Sequence, residues 1–354
     1  MTDNPWKPGP RHREPAELMK PIVDPAGWYP DDLRKSNAWY YRVSDAEIAD
    51  LFEAVAALEA RGADLKDVTR DDFPLPVFGR AVAEVRDEVI NGRGFAFFKG
   101  IPVAGRSRYQ NAAAFWGIGT HMGRAVSQNA KGHLLGHVKN IGGDINSPTG
   151  RGYNSPSELT FHADGCDSLS LMCLTTARSG GRHRIASSVT TYNEMLARRP
   201  DLASELSFRF YHTLRGELPP GQTQPWGRKP VVSVKDGYFS ARGASSTIKR
   251  AQDLPGVPKL TPAQAEAIAM YQAMSGECAI EIDFEPGDIS YVNNHVTLHA
   301  RSAYEDWPEP ERARHLFRLW LDMGGTRPLN EEVEAATRGI ICDGTILNTP
   351  LEAA

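Results

Sequence analysis

The feature that most constrains the fold of this chain is a change of pattern along its length. Helical periodicity dominates before residue 123, whereas short strands separated by glycine and proline turns follow from about residue 129. The clearest strand alternates apolar and polar residues over 278–284 and ends at a turn at 286–288. Helices first and a strand-rich body second predict an α+β, mainly β, protein built on a barrel or sandwich.

Local signals predict where individual elements begin and end. Residues 44–47 and 261–264 are capping boxes, and the second has proline at the first helical position. Other helices are predicted at 82–92, 109–122 and 192–196. The predicted strands are 94–103, 169–174, 185–189, 289–292, 297–301 and 314–322, with weaker candidates at 208–211 and 231–234.

A length of 354 residues on its own favours two domains of average size, but all-β barrels and sandwiches often form a single domain that is longer than average. The sequence contains no repeat and no low-complexity linker. We therefore predict an irregular N-terminal arm at 1–43, a single catalytic domain with a helical N-terminal part at 44–325, and a C-terminal tail at 326–354.

Charge and composition argue against several classes of protein. The net charge is −4 and no long basic run is present, so nucleic acid is not an expected partner. The sequence lacks eighteen consecutive apolar residues and an apolar signal-peptide core, so no membrane span or export is expected. The four cysteines show no C-x-x-C spacing, which argues against a zinc site or a disulfide framework. We therefore expect reduced thiols and a protein of the cytoplasm.

The most informative short motif is Phe161-His162-Ala163-Asp164. In an extended segment, residues two apart point to the same side, so His162 and Asp164 can offer an imidazole nitrogen and a carboxylate oxygen to one ion. Two histidines and one carboxylate on one face of a metal are the ligands of non-heme iron(II) oxygenases. The motif thus predicts a third ligand from a distant strand.

The segment 293–301 provides two candidates for that third ligand. His299 lies on a predicted strand 137 residues after His162, and His295 has the same parity as His299. A histidine on a strand is also often a core residue with its hydrogen bonds satisfied. We select His299 and keep His295 as its rival.

The predicted strand 314–322 places Arg314 and Arg318 on one face together with Leu316 and Trp320. Guanidinium groups are costly to bury without an anion, and their planar fork suits a carboxylate. The two arginines are therefore candidates for binding an anionic ligand. The alternative is that they pair with internal carboxylates or face solvent.

Taken together, these motifs resemble the taurine dioxygenase-like (TauD/TfdA-type) branch of the iron(II)/2-oxoglutarate-dependent oxygenases. The resemblance covers about residues 94–321 and depends on the order and spacing of several motifs. These are Phe161-His162-Ala163-Asp164, Gly180-Gly181, Asn293-Asn294, Leu298-His299-Ala300-Arg301 and Arg314-His315-Leu316.

The resemblance implies a double-stranded β-helix (jelly-roll) core with flanking helices. It further implies that His162, Asp164 and His299 ligate Fe(II), and that 2-oxoglutarate and O₂ are cosubstrates. Arg314 then takes the position that binds the C5 carboxylate of 2-oxoglutarate, and Arg318 the position that binds the anionic group of the substrate. In the family, Thr or Ser usually follows the Gly-Gly turn by two residues, and His183 stands there in this chain.

The predicted function is a dioxygenase that hydroxylates a C–H bond of a small anionic substrate, either amino-acid-like or a sulfonate. The loops at 129–160 and 212–230 are expected to cover the site, and a homo-oligomer is compatible with the sequence. Two other functions stay open at this point. One is a cupin-like metal enzyme that does not use 2-oxoglutarate, and the other is a catalytically silent ligand-binding protein of the same fold.

Overall fold

The structure is a computed structural model that describes residues 4–143, 150–244 and 246–353. Within these residues the helices are α1 (Pro30–Arg34), α2 (Asp45–Ala60), α3 (Gly79–Asn91), α4 (Arg108–Met122), α5 (Ser188–Arg198), α6 (Pro200–Glu205), α7 (Ser246–Ala251), α8 (Pro262–Glu277) and α9 (Glu331–Ala335). The strands of the first half are β1 (Tyr40–Arg42), β2 (Phe95–Lys99), β3 (Arg124–Val126), β4 (Leu135–Lys139), β5 (Leu159–His162), β6 (Ser168–Thr175), β7 (Ser179–Gly180) and β8 (His183–Ser187). The later strands are β9 (Arg209–Thr213), β10 (Trp226–Pro230), β11 (Val232–Lys235), β12 (Tyr238–Ala241), β13 (Ala279–Ile282), β14 (Ile289–Asn293), β15 (Thr297–Arg301), β16 (Tyr304–Glu305) and β17 (His315–Asp322).

The predicted helix starts are confirmed in atomic detail. The Ser44 side chain accepts a hydrogen bond from the Glu47 amide at the start of α2, and the Glu47 carboxylate accepts one in return from the Ser44 amide. Thr261 and Gln264 form the same reciprocal pair at the start of α8. Each box satisfies amide groups that the first helical turn leaves without a partner. The helix predicted to stop near Gly92 ends at Asn91.

Two sheets form the body of the described chain. The larger has the order β1-β2-β14-β6-β17-β3, with β4 also pairing with β17, and the smaller has the order β13-β8-β15-β5. The pairs within the smaller sheet are antiparallel. The prediction of a mixed protein with a strand-rich second half is therefore confirmed.

The two sheets pack against each other through one apolar cluster. It combines Leu169, Leu316 and Trp320 from the larger sheet with Ile185 and Ile280 from the smaller one. A second cluster joins the other face of the larger sheet to helices α2, α3 and α4, and a third joins the smaller sheet to α5 and α8. Helices thus cover the outer faces, and the space between the sheets is available for a site.

Two predicted segments differ in their local structure from the prediction. The N-terminal arm is irregular over residues 4–29, but it then forms α1 and, through β1, pairs in parallel with β2. Backbone pairing and ring contacts such as that of Tyr41 with Phe98 order this segment at the sheet edge. The predicted strand 185–189 ends at Ser187, whose side chain caps α5 by accepting from the Thr190 amide.

The C-terminal tail is also more ordered than its prediction as a simple tail. It contains the short helix α9, and the Pro350 carbonyl lies 2.9 Å from Nε2 of the buried His137. The other ring nitrogen of His137 lies 2.8 Å from Nε2 of His315 on β17. Burial and the neighbouring His137 lower the pKa of His315 to about 3.

This histidine pair predicts a loss of stability in acid. The unfolded chain binds a proton at His315 below about pH 6.5, whereas the folded chain does not until about pH 3. Stability is therefore fully present above pH 6.5 and falls as the pH drops through this window. Between pH 7 and pH 5 the wild type should lose on the order of 2 kcal/mol more than His315→Gln in urea unfolding. Equal losses in the two proteins would contradict this explanation.

The described helices include none with the length and apolar character needed to cross a bilayer. The cysteines of the structure are all unpaired, as predicted, and Cys166, Cys173 and Cys278 are buried. Burial raises the pKa of each of these three thiols, which makes them packing residues rather than nucleophiles.

Candidate active site

The smaller sheet brings the three predicted metal ligands together. His162 ends β5 and lies directly opposite His299 on β15, so their side chains lie on the same face of the sheet. Asp164 follows β5 by two residues. Its two oxygens lie 3.9 Å from His162 Nε2 and 3.8 Å from His299 Nε2. One donor atom from each residue lies within 4.8 Å of the others, a spacing that one metal ion can bridge.

The protonation states of the three groups suit metal binding. Burial lowers the pKa of His162 and, together with the neighbouring His162, lowers that of His299 well below its ordinary value. Both imidazoles are therefore neutral near pH 7 and keep a lone pair for a ligand. His162 Nδ1 lies 2.7 Å from the Thr160 carbonyl, which fixes the proton on Nδ1 and leaves Nε2 as the free donor atom.

Neighbouring side chains hold Asp164 in its ionised form. Burial opposes ionisation, but the charge of Arg318 and contacts with the two histidines and Trp320 lower the pKa of Asp164 to about 2. Trp320 Nε1 donates to Asp164 Oδ2 at 2.9 Å, and the Asp164 amide donates to Asn294 Oδ1 at 3.1 Å. The carboxylate is thus fixed in both charge and orientation.

Sequence reasoning missed this role of Trp320, although its parity with Arg318 already placed it on the inner face. Replacing it by phenylalanine keeps the ring and removes the hydrogen bond to Asp164. Because partners that orient a ligand contribute about 10–100-fold to metal affinity, Trp320→Phe should weaken Fe(II) binding by roughly tenfold. Anaerobic Fe(II) titration measures this directly. Trp307→Phe, which alters a half-buried tryptophan near Arg312, is the matched control and should bind Fe(II) like the wild type.

The rival ligand His295 belongs to a different network. Its Nε2 lies 2.9 Å from Asp167 Oδ1, and its Nδ1 lies 3.2 Å from Ser240 Oγ. Both ring nitrogens therefore have partners within the protein. His295 is not part of the cluster that could hold a metal, and the structure favours His299.

A second group of polar atoms lies between the sheets next to the metal cluster. Nη1 of Arg314 and Nε2 of His183 are buried and have no hydrogen-bond partner among the described residues. The His183 ring lies 6.4 Å from that of His299, and the Arg314 guanidinium lies over the ring of Tyr304. Burial and the charge of Arg314 lower the pKa of His183 to about 3, so it is a neutral ring.

Unsatisfied buried donors are costly, and they are the signature of a site that receives a polar ligand. A carboxylate would fit here, since a guanidinium and an imidazole N–H are both suited to donate to it. A side chain at Gly181 would come within 3.0 Å of Arg314 Nε, so the predicted Gly-Gly turn gives this arginine its room.

Arg318 lies on the same strand as Leu316 and Trp320, which pack between the two sheets, and part of its guanidinium is already engaged. Its Nε donates to Gln128 Oε1 at 2.6 Å, and its Nη1 lies 4.0 Å from Asp164 Oδ2. The guanidinium also lies over the ring of Tyr153, 4.2 Å from its centroid. Arg318 is thus held rigidly beside the metal cluster.

A cavity of about 350 Å³ opens next to His162 and Asp164. Parts of both predicted covering loops line it, at 150–153 and 158–160 and at 212–217, although β4 and β10 show that these loops are less irregular than predicted. The segment 144–149 of the first loop lies outside the described residues. The tail contributes Ala336 and Ile340, which its prediction as a separate tail did not anticipate.

Two imidazoles and one carboxylate beside an open cavity are the ligand set of a mononuclear non-heme iron oxygenase. The sequence matches the profile described as "Taurine catabolism dioxygenase TauD, TfdA family" over residues 56–320. The chain belongs to this family.

Similar proteins agree with this assignment. The chain is 31% identical to the FR-33289 synthase of Streptomyces rubellomurinus, over 88% of this chain and 93% of that protein. It is 26% identical to the taurine hydroxylase-like protein SAT17 of Stachybotrys chartarum, over 86% of this chain and 80% of that protein.

Solved structures show the same fold at lower identity. An asparagine oxygenase in complex with Fe(II), 2S,3S-3-hydroxyasparagine and succinate has a TM-score of 0.62 and 18% identity, covering 86% of this chain and 99% of that one. The non-heme iron oxygenase OrfP with Fe and alpha-ketoglutaric acid has a TM-score of 0.58 and 17% identity, covering 85% and 99%.

The protein is therefore an Fe(II)- and 2-oxoglutarate-dependent dioxygenase that uses O₂ and acts on a small molecule. The residues present fit both groups. The neutral imidazoles and the ionised carboxylate suit the metal, and the unpartnered donors of Arg314 and His183 suit a carboxylate of the cosubstrate.

Proposed function

We propose that His162, Asp164 and His299 hold the Fe(II), that Arg314 and His183 bind 2-oxoglutarate, and that the substrate occupies the adjacent cavity. The observation that carries this proposal is the convergence of three ligand atoms within 4.8 Å. The position of the buried, unpartnered donors supports the second part, because the His183 ring lies 6.4 Å from that of His299 and close enough to Arg314 for the guanidinium charge to act on it.

The proposal extends to the topology of the core. We infer that the two packed, mainly antiparallel sheets form the double-stranded β-helix, or jelly roll, with the helices outside. The sandwich of β14-β6-β17 against β13-β8-β15-β5 supports this, as does the likeness to the two solved oxygenases. The division into an arm at 1–43, a domain at 44–325 and a tail at 326–354 likewise stays a proposal.

When bound, Fe(II), 2-oxoglutarate and dioxygen would supply the oxidising power for hydroxylation of a C–H bond, with succinate and CO₂ as the products from the cosubstrate. The contribution of the chain is binding and orientation. Trp320 and Asn294 hold Asp164 in position, and the Thr160 carbonyl fixes the tautomer of His162. Arg314 orients the cosubstrate through its distal carboxylate, and the packed sheets exclude water from that side.

His183 replaces the hydroxyl residue that the family usually has after the Gly-Gly turn. As a neutral ring with an unpartnered Nε2, it can donate one hydrogen bond to a carboxylate of 2-oxoglutarate. Its ring packs against Phe97 and Phe284, which fixes its direction. We propose that it performs the task of the missing hydroxyl.

We infer that the substrate is a small anion, amino-acid-like or carrying a sulfonate or a related group, and that it is hydroxylated. Arg318 supports an anion because it lines the cavity beside Asp164. The asparagine oxygenase and OrfP were solved with hydroxylated amino acids, which supports a substrate of that size.

We propose that the protein acts in the cytoplasm, and its three buried, unpaired thiols support this compartment.

The direct test is succinate formation by protein loaded with Fe(II) in the presence of O₂ and 2-oxoglutarate, with a panel of small anions. We expect slow 2-oxoglutarate consumption without a substrate and stimulation by the correct anion. Consumption must require Fe(II) and stop with a chelator. Metal binding without any 2-oxoglutarate loss would favour a metal enzyme of another type and contradict the proposal.

A further inference from the structure

The lining of the cavity next to the metal cluster is rich in positive charge. Six cationic side chains line the cavity, whereas its acidic lining residues are Asp164, Glu158 and Glu217. The six cations are Arg151, Arg215, Lys229, Arg242, Arg250 and Arg318.

Four of these cations already have partners within the protein. Arg151 is paired with Glu217, and Arg242 donates to the backbone carbonyls of Cys166 and Asp164. Arg250 donates to the Gly150 carbonyl. Arg318 is held by Gln128, as described above.

Arg215 and Lys229 are different. Neither has an ion pair with a carboxylate in the described part of the chain, and Nε of Arg215 is buried without a hydrogen-bond partner there. The charges that act on Lys229 are those of Arg242 and Arg215, which are both positive. Two cations therefore face one cavity close to each other, and no carboxylate among the described residues forms an ion pair with either of them. The Asp164 charge that does act on Arg215 belongs to a proposed metal ligand. Such an arrangement is costly unless a ligand compensates it.

The local fold holds these groups in place. Lys229 lies directly opposite Phe210 in the β9–β10 pair. Phe210 and His212 are two residues apart on β9 and therefore point to the same side. Lys229 and His212 thus share one face of this pair. His212 Nδ1 lies 3.0 Å from Thr247 Oγ1, and its Nε2 is buried without a partner among the described residues. Burial lowers the pKa of His212 well below its ordinary value, so it is a neutral donor.

Arg215 itself has an unusual backbone conformation. Its φ of 55° lies in the left-handed region, which non-glycine residues rarely adopt and which often marks functional sites. The Arg215 amide donates to Thr213 Oγ1 at 3.1 Å, and the neighbouring Leu214 amide donates to the Pro225 carbonyl at 2.9 Å. These bonds hold the end of β9 so that Arg215 lines the cavity.

We propose that Arg215, Lys229 and His212 form a subsite for a compact, doubly charged oxoanion group of the substrate, that is, a phosphonate or a phosphate monoester. This inference rests on the proposed function and specifies its substrate class. A single carboxylate or sulfonate balances one of the two free cations and leaves the other buried without a counter-charge. A tetrahedral dianion balances both and has acceptor oxygens for the imidazole as well.

The position of the subsite fits the chemistry. Arg215 is close enough to His162 and Asp164 for their charges to influence each other, and all three line the same cavity. A substrate whose dianionic end is held here places its carbon chain toward the metal cluster. Burial and the charges of Arg242 and Arg215 lower the pKa of Lys229 to about 7, and a bound dianion would stabilise its charged form.

The test uses calorimetry on the protein loaded with Fe(II) and 2-oxoglutarate under anaerobic conditions at pH 8. The probes are methylphosphonate and methyl phosphate, which are dianions, and methanesulfonate, a monoanion of similar shape. We expect both dianions to bind at least about tenfold more tightly than methanesulfonate, because a second charge is compensated.

Arg215→Gln and Lys229→Gln should each weaken dianion binding by about tenfold or more and affect methanesulfonate binding less. A preference for one of the two dianions identifies the linkage of the substrate.

Arg228→Gln is the matched control, since Arg228 is an exposed neighbour of Lys229 in β10 and should leave binding unchanged. Equal affinity for the monoanion and the dianions would overturn the inference. Dianion binding that persists in both variants but disappears without iron would also overturn it, because the probe would then be a metal ligand. These outcomes differ from failure of the proposed function, which would appear as loss of Fe(II) or 2-oxoglutarate binding in the wild type.

Discussion

His299→Ala is expected to lose its iron and its activity together. The imidazole of His299 is one of three donor atoms within 4.8 Å, and the remaining His162 and Asp164 offer an incomplete site. Because loss of a mere supporting partner already costs about 10–100-fold in metal affinity, loss of a ligand should weaken Fe(II) binding by at least about 100-fold. Anaerobic Fe(II) titration and succinate formation measure the two effects.

His295→Ala is the matched control, since it removes the same side chain four residues earlier on the chain. Its ring contacts Asp167 and Ser240 instead of the cluster. We expect this variant to be less stable by about 1–3 kcal/mol, because the half-buried Asp167 carboxylate loses one of its hydrogen-bond partners, and to bind one equivalent of Fe(II). The reverse result, with iron lost in His295→Ala and retained in His299→Ala, would show that the wrong histidine was chosen.

The second large effect is expected at Arg314. The guanidinium is buried beside His183 with an unpartnered Nη1, and we propose that it pairs with the distal carboxylate of 2-oxoglutarate. A hydrogen bond to a charged group contributes about 1.5–3 kcal/mol, so Arg314→Gln should raise the KM for 2-oxoglutarate by about ten- to a hundredfold. Iron binding should change little, because Arg314 does not belong to the ligand cluster.

Arg182→Gln provides the comparison for that experiment. Arg182 directly follows the Gly-Gly turn, but its side chain is exposed and paired with Glu281 and Asp283. Its replacement should leave the KM for 2-oxoglutarate within about twofold of the wild type, as for most exposed ion pairs. If both variants shifted the KM equally, the effect would report general disturbance of the turn rather than a carboxylate contact at Arg314.

Much of the fold follows from local sequence signals. The capping boxes at Ser44 and Thr261 and the strands at 289–293 and 297–301 lie close to where they were predicted, because each is specified by neighbouring residues. The ordering of the arm was missed for the opposite reason. Residues 40–42 form a strand only because β2 offers an edge to pair with, and that edge is remote in sequence.

In the candidate site, too, some residues could be predicted from local sequence and others could not. His162 and Asp164 could be selected from their spacing, and His299 from its strand and the resemblance to a family. Arg215 and Lys229 could not, since they lie in a segment without clear periodicity and face the cavity through the pairing of β9 with β10. A single sequence gives no sign that two cations fourteen residues apart face one space.

The central claim is that Fe(II) lies between His162, Asp164 and His299, with the cosubstrate extending to Arg314. The most direct test is a crystal structure of the anaerobic complex with Fe(II) and 2-oxoglutarate, using anomalous scattering at the iron edge. We expect one strong peak within bonding distance of both Nε2 atoms and an Asp164 oxygen, and a dicarboxylate that ends at the Arg314 guanidinium. An iron peak at His295 or at the His137–His315 pair, or a dicarboxylate away from Arg314, would contradict it.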